Sequence, residues 1–298
     1  MTAPLLFELV RCYQDWATGY YLKDGKPTAT IKNIRDATRE LLATFPEMTV
    51  DQFGAPHLRQ VQAAMISSGR LSRRTINDRI NWIRACFTWA AEMGLADELL
   101  PHRLKLVRHL RPGRSAAKDS DGVHPVRWDQ VAATLAHANP NLRAMILVQW
   151  HTGMRPGELV IMHRADIDMT SADCWLYSPR RHKTQHFGKP RVIALGPVAR
   201  AVLAPVLLKS TNWLWPSSIP DRPMARLSYY RAIQRINEKH HLAAWFPNQI
   251  RHSAATRLRR EAGIETARVV LGHANIRTTE IYAEADMTRA VEAMARLG

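Results

Sequence analysis

No stretch of this sequence contains the roughly 20 consecutive apolar residues that a membrane-spanning helix needs. The first residues also lack the basic-then-apolar order of a secretory leader. Cysteine is scarce: the three copies, Cys12, Cys86 and Cys174, are odd in number, far apart and match no metal or disulfide spacing. That pattern suits a reducing compartment. There is no internal repeat, no low-complexity tract, no glycine-rich phosphate loop and no acidic cluster with metal-ligand spacing. These absences argue against membrane proteins, disulfide scaffolds, P-loop enzymes and carboxylate-bound metal enzymes.

Acidic side chains are in deficit as well. There are 26 Asp and Glu against 42 Lys and Arg, a formal net charge of +16. A polyanionic partner, most commonly nucleic acid, explains such a balance, and a basic surface serving solubility is the bland alternative. Charge does not separate DNA from RNA, or a binder from an enzyme.

A length of 298 residues suits two modest domains. In the first, residues 71–94 read as a helix with Ser72 as N-cap and Gly94 as stop. Ile76, Ile80, Ile83 and Phe87 fall on one face. Arg73, Arg74, Arg79 and Arg84 lie mostly off that face. They form either a solvated basic surface or a helix side laid on a DNA backbone. Residues 108–124 contain Pro112, Gly113 and Gly122 without an apolar period, which is linker chemistry. The expected division is a helical DNA-binding domain over residues 1–110, a linker over 111–124 and a second domain over 125–298. Both domains are net basic, the second more so. The second reads as helical with a small antiparallel sheet: helices over 128–138 and 142–150, then strands over 166–168, 174–177 and 191–195. The polar hairpin tip SPRRHKTQHFGKP lies between the last two strands, and four more helices are expected from about Ala225 onward.

Three segments of the second domain carry chemistry. In Thr152-Gly153-Met154-Arg155-Pro156-Gly157-Glu158-Leu159, one helix ends at Gly153 and Pro156 opens the next. Arg155 is then held at a helix start that favours anions, with Glu158 placed to orient it. An Arg and a Glu three apart are, taken alone, most often an ordinary ion pair. The segment Asn248-Gln249-Ile250-Arg251-His252 follows Pro247 and is expected to put a second Arg in the first turn of a helix. Leu271-Gly272-His273 is followed, nine residues after the His, by Tyr282. A lone Tyr or His is usually structural, so the order of the set is what carries information.

That order resembles the tyrosine recombinase (phage integrase) family over most of the chain. The family carries an Arg in G-x-R-x-x-E, a Lys on a β-hairpin, an Arg in H-x-x-R, an L-G-H segment and a nucleophilic Tyr. Arg155, Lys183, Arg251, His273 and Tyr282 match in order and approximate spacing. The resemblance implies a mainly α-helical fold: an N-terminal helical core-binding domain and a helical catalytic domain with a small antiparallel β-sheet. It implies a site-specific DNA recombinase that cleaves and rejoins DNA through a 3′-phosphotyrosyl intermediate on Tyr282. Two arginines would clamp the phosphoryl oxygens bidentately. Lys183 would protonate the leaving 5′-oxygen, and His273 would bond the phosphate or help deprotonate Tyr282. No metal or other cofactor is expected, since the arginines supply the positive charge.

One position departs from the pattern. Asn248 stands where the family has the His of H-x-x-R, and an amide cannot exchange a proton near neutral pH. His252 is a poor stand-in, pointing about 100° away from Arg251 on an α-helix. The expected partner is double-stranded DNA at a specific inverted-repeat site, bound by a protein that is monomeric in solution and tetrameric on paired sites. No membrane partner is expected, and the expected location is cytoplasmic, on the nucleoid. A last apolar stripe, Met287, Val291, Met294 and Leu297, suits a short terminal helix docked on its own domain or on a neighbouring protomer. Competing readings are a type IB topoisomerase-like enzyme and a non-catalytic DNA-binding protein that kept the fold.

Overall fold

The computed structural model describes residues 3–272, apart from 24, 120, 181–190 and 211. The chain divides into two compact units, Met1–Gly122 and Val123–Gly298. Among the described residues no helix is long and apolar enough to cross a membrane.

The first unit is helical: α1 (Leu6–Tyr20), α2 (Thr30–Thr44), α3 (Ala55–Ser67), α4 (Arg73–Glu92) and the short α5 (Leu100–Leu104). A two-stranded hairpin, β1 (Leu22–Lys23) and β2 (Lys26–Pro27), joins α1 to α2. Helix α4 is the centre and packs against the other four. Its start is set by Ser72, whose hydroxyl accepts from the Thr75 N–H at 3.2 Å and satisfies an amide that lacks a helical partner. Its end is set by Gly94, which turns the chain at φ +67°. The stripe Ile76, Ile80, Ile83 and Phe87 is wholly buried. Phe53 stacks on Phe87 with ring centroids 4.5 Å apart.

The segment with linker composition is in large part fastened to this helix. The Asn77 amide donates to the Leu110 carbonyl at 3.0 Å and accepts from the Leu110 N–H at 2.9 Å. The Arg73 N–H donates to the Lys118 carbonyl at 2.7 Å, the Arg73 guanidinium pairs with Asp119, and Ala117 is buried. Backbone polar groups must find partners, and here side chains of α4 and the Arg73 N–H supply them.

The second unit is also mainly helical: α6 (Trp128–His137), α7 (Pro140–Thr152), α8 (Pro156–Val160), α9 (Pro197–Lys209), α10 (Arg226–Lys239) and α11 (Pro247–Leu271). Between α8 and α9 lie β3 (Ile167–Asp168), β4 (Trp175–Tyr177) and β5 (Ile193–Leu195) in one antiparallel sheet of order β3-β4-β5. Tyr177, Ile193 and Leu195 face the core while Leu176 and Ala194 face out, the alternation of a half-buried sheet. Helix α7 packs against α9 and α11 in the middle of the unit. Helix α11 is two helices joined at Gly263, whose φ of +84° breaks the helical path. With α10, that makes three helical stretches among the described residues from Ala225 onward. Any further helix there, including the stripe from Met287 to Leu297, lies outside the described residues.

Candidate active site

The site grows out of three chain turns. Helix α7 ends at Gly153 with φ +64°. A Cβ there would lie 2.8 Å from both the Ala254 Cβ and the Leu271 Cδ2, so the turn and α11 meet where only glycine fits. Two residues on, Arg155 is the N-cap of α8, and Pro156 fills the first helical position, where its missing N–H costs nothing. Glu158 reaches back: its Oε2 accepts from the Arg155 N–H and its Oε1 from Arg155 Nη1, each at 2.8 Å. The Glu158 side chain is 2% exposed, whereas that of Arg155 is 21% exposed, so the carboxylate is sealed and the guanidinium reaches solvent. The sheet steadies this turn through the Tyr177 hydroxyl, which donates to the Glu158 carbonyl at 2.8 Å.

Arg251 comes from the second turn of α11 rather than the expected first, because the helix already starts at Pro247, and it is buried. Its Nη1 donates to the Gly153 carbonyl at 3.0 Å and its Nη2 to the Leu271 carbonyl at 2.6 Å. One guanidinium therefore links the turn before Arg155 to the turn before His273. The two Arg-bearing segments are also tied from behind. Buried Gln149 donates from Nε2 to the carbonyls of Met154, at 3.2 Å, and Pro247, at 3.0 Å. Its Oε1 accepts from the Tyr229 hydroxyl at 2.9 Å. Asn248 is exposed at the start of α11, and its amide donates to Nε2 of His252 at 3.1 Å. Burial, and then the charge of Arg251, pull His252 below the usual imidazole range, which favours the neutral ring that such a bond needs.

Two residues that sequence reasoning passed over belong to this centre, Gln149 and Arg191. Arg191 lies with its Nε 3.6 Å from Glu158 Oε1, and its Nη1 donates to the Val270 carbonyl at 3.0 Å. Burial alone would push the Glu158 carboxyl up, but Arg191, and after it Arg155, hold it below its usual range. A signal for Arg191 was present: it shares strand parity with the inward-facing Ile193 and Leu195. Gln149 had none, because an amide inside an apolar helix reads as an ordinary exposed position.

Lys183, His273 and Tyr282 lie outside the described residues. The four arginines of α4 divide. Arg79 is partly buried and pairs with Glu40 at 2.6 Å. Arg84 donates to the carbonyls of Leu104 and Val107, and Arg73 is bound to Asp119 and the Leu110 carbonyl. Arg74 is exposed. Among the described residues no group of three or more His, Cys, Asp or Glu side chains could hold a metal ion.

Of the two guanidiniums, Arg155 is held by the Glu158 carboxylate and reaches solvent, while Arg251 is buried and held by two backbone carbonyls. The fold around them is shared with solved structures. The Tn1549 transposon integrase, solved in complex with a circular intermediate DNA, matches with a TM-score of 0.76 at 18% identity over 99% of both chains. The XerH site-specific recombinase, solved on a palindromic difH substrate, matches with a TM-score of 0.74 at 14% identity over 97% of this chain and 94% of its own. In sequence, the tyrosine recombinase XerC of Corynebacterium efficiens is 26% identical over 97% of this chain and 92% of its own length. XerC of Corynebacterium glutamicum is 28% identical over 90% of this chain and 85% of its own length. The model of the phage integrase family matches residues 126–289, more than half of the sequence, and the chain belongs to that family.

Proposed function

We propose that this protein is a site-specific tyrosine recombinase that binds double-stranded DNA in the cytoplasm, cleaves it and rejoins it to a second site. The observation that carries the reading is the Arg251 side chain, bonded at once to the carbonyls of Gly153 and Leu271. It joins the turn that precedes Arg155 to the turn at Leu271, two segments distant in sequence.

In this reading the Tyr282 oxygen attacks the scissile phosphorus, and the bond to the 5′-oxygen breaks. Lys183 gives that oxygen its proton, leaving a 5′-hydroxyl and a 3′-phosphotyrosyl bond. Arg155 and Arg251 neutralise the charge that builds on the non-bridging oxygens. A 5′-hydroxyl from the partner duplex then attacks the phosphotyrosyl and releases Tyr282. His273 bonds the phosphate or takes the tyrosine proton. Asn248 supplies only hydrogen bonds at its position, with His252 beside it. The target is an inverted-repeat site bound by monomers that assemble as a tetramer when two sites pair.

A nicked suicide duplex carrying the inverted repeat tests the reading. The native protein should form a covalent adduct at Tyr282 and yield two-site products, and Tyr282→Phe should bind the duplex but form no adduct. An adduct that persists in Tyr282→Phe refutes the assignment. Relaxation of a single plasmid without two-site products would point to topoisomerase chemistry instead.

A further inference from the structure

Arg191 is a buried cation that the proposed reaction does not use. Its side chain is 5% exposed, and among the described residues its Nε and Nη2 have no hydrogen-bond partner. Burying a guanidinium with unmatched donors is unfavourable, and an apolar residue of similar volume often serves stability as well or better. Its surroundings are nonetheless shaped to it. A Cβ on Gly272 would lie 2.6 Å from Arg191 Nη1, and Gly272 itself has φ +62°, so the turn before His273 is moulded on this side chain. Arg191 Nη1 also donates to the Val192 carbonyl at 3.3 Å, just before the start of β5.

The charge balance explains what such a cation does. Arg155 faces solvent but is paired with the sealed carboxylate of Glu158. One Arg and one Glu sum to zero, and a neutral pair attracts a phosphate weakly. Arg191 faces the same carboxylate oxygen as Arg155, so the trio is net +1, and that surplus reaches solvent through Arg155. Burial pulls the Arg191 guanidinium down while Glu158 opposes it, and the ion pair keeps the cation charged.

We propose that Arg191 is a positioning residue for DNA cleavage: by sharing Glu158 with Arg155 and holding the Val270 backbone, it leaves Arg155 with a full positive charge to present to the scissile phosphate. The inference rests on the recombinase reading above. It applies to the transition state, where charge on the phosphoryl oxygens is greatest, and so predicts a loss of rate rather than of DNA affinity.

The test compares two suicide duplexes, one with an ordinary scissile phosphodiester and one with a methylphosphonate, which lacks one anionic oxygen. R191Q should bind the ordinary duplex as the native protein does but cleave it roughly 10- to 100-fold more slowly, the range such supporting partners carry elsewhere. On the methylphosphonate, where less charge needs neutralising, the ratio of native to R191Q rate should shrink severalfold. R191K keeps the charge and should stay within a few-fold of native on both. Equal losses for R191Q on the two duplexes, or none on either, overturn the inference. Should R191Q fail to fold, as read by circular dichroism, R191K decides: a rate near native supports the charge role, and a tenfold or larger loss on both duplexes overturns it. A native protein that forms no adduct at Tyr282 rejects the recombinase reading itself, an outcome distinct from these.

Discussion

At Glu158 one buried carboxylate meets two cations, and its protonation has a cost that can be measured. Its folded-state pKa is held below the unfolded value, because the arginines outweigh burial. A carboxyl shifted this way contributes stability that is fully present above the unfolded value, about 4.3 for Glu. As pH falls below about 5 the unfolded chain takes up the proton first, and that contribution is lost toward the lower folded value. Glu158→Gln removes the charge at every pH. At pH 7 it should destabilise the second unit by about 3 kcal/mol, the cost of leaving buried cations without their partner. Near pH 3.5 the gap between native and Glu158→Gln should narrow. Denaturant unfolding at the two pH values checks this, and a gap that stays constant would mean that Glu158 carries no linked proton.

At the scale of elements, α4 and the α7–α8 turn make separate predictions. The α4 arginines look alike in sequence, yet Arg79 is committed to Glu40 whereas Arg74 is exposed. If α4 lies along a DNA backbone, Arg74→Ala should lower the slope of log affinity against log salt by about one, as expected for one lost phosphate contact. Arg79→Ala should leave that slope unchanged and lower the stability of the first unit by about 1–2 kcal/mol, through loss of a charged hydrogen bond. Salt titrations and melts on the same two variants separate the roles, and equal slopes for native and Arg74→Ala would remove Arg74 from the interface. At the other turn, Gly153→Ala adds a left-handed backbone penalty to a collision with Ala254 and Leu271. It should cost at least about 2 kcal/mol in unfolding free energy. It should also slow cleavage, because the carbonyl that Arg251 grips moves with the turn. A variant with native melting and native cleavage would show that the two helices have slack there.

At the scale of the whole molecule, the proposed reaction needs several copies of the chain on paired DNA sites. The stripe of Met287, Val291, Met294 and Leu297 sits a few residues past Tyr282 in the sequence. If those residues form a short helix, which in isolation is marginal in water, docking would stabilise it. If it docks on a neighbouring protomer, it ties the placement of the nucleophile to assembly. Deleting residues 287–298 should then leave binding of one protomer to a half-site nearly unchanged while weakening cooperative binding and strand exchange severalfold. Gel-shift and recombination assays read both, and full-length rates of site pairing and exchange in the truncated protein would place the docking in cis.

The sequence determined the elements wherever local chemistry speaks. Ser72 and Gly94 mark the ends of α4, the spacing of Ile76, Ile80, Ile83 and Phe87 marks its buried face, and alternation marks the short strands. It also named Arg155, Glu158 and Arg251, because their order along the chain is a pattern in its own right. What pattern could not reach is pairing across distance. The linker-like stretch is polar by composition, yet Asn77 and Arg73 hold Leu110, Lys118 and Asp119 against α4. By sequence Arg79 and Arg84 belong to a basic set on α4, and only the fold shows that Glu40 binds the first and the carbonyls of Leu104 and Val107 bind the second. Arg191 and Gln149 joined the site only when the tertiary structure placed Glu158, Val270, Met154 and Pro247 beside them. The reason is physical. Helix caps and periodicity are set within one or two turns of chain, so residue order records them. The partner of a buried charge or amide is set by which segments pack together, and only the folded chain decides that.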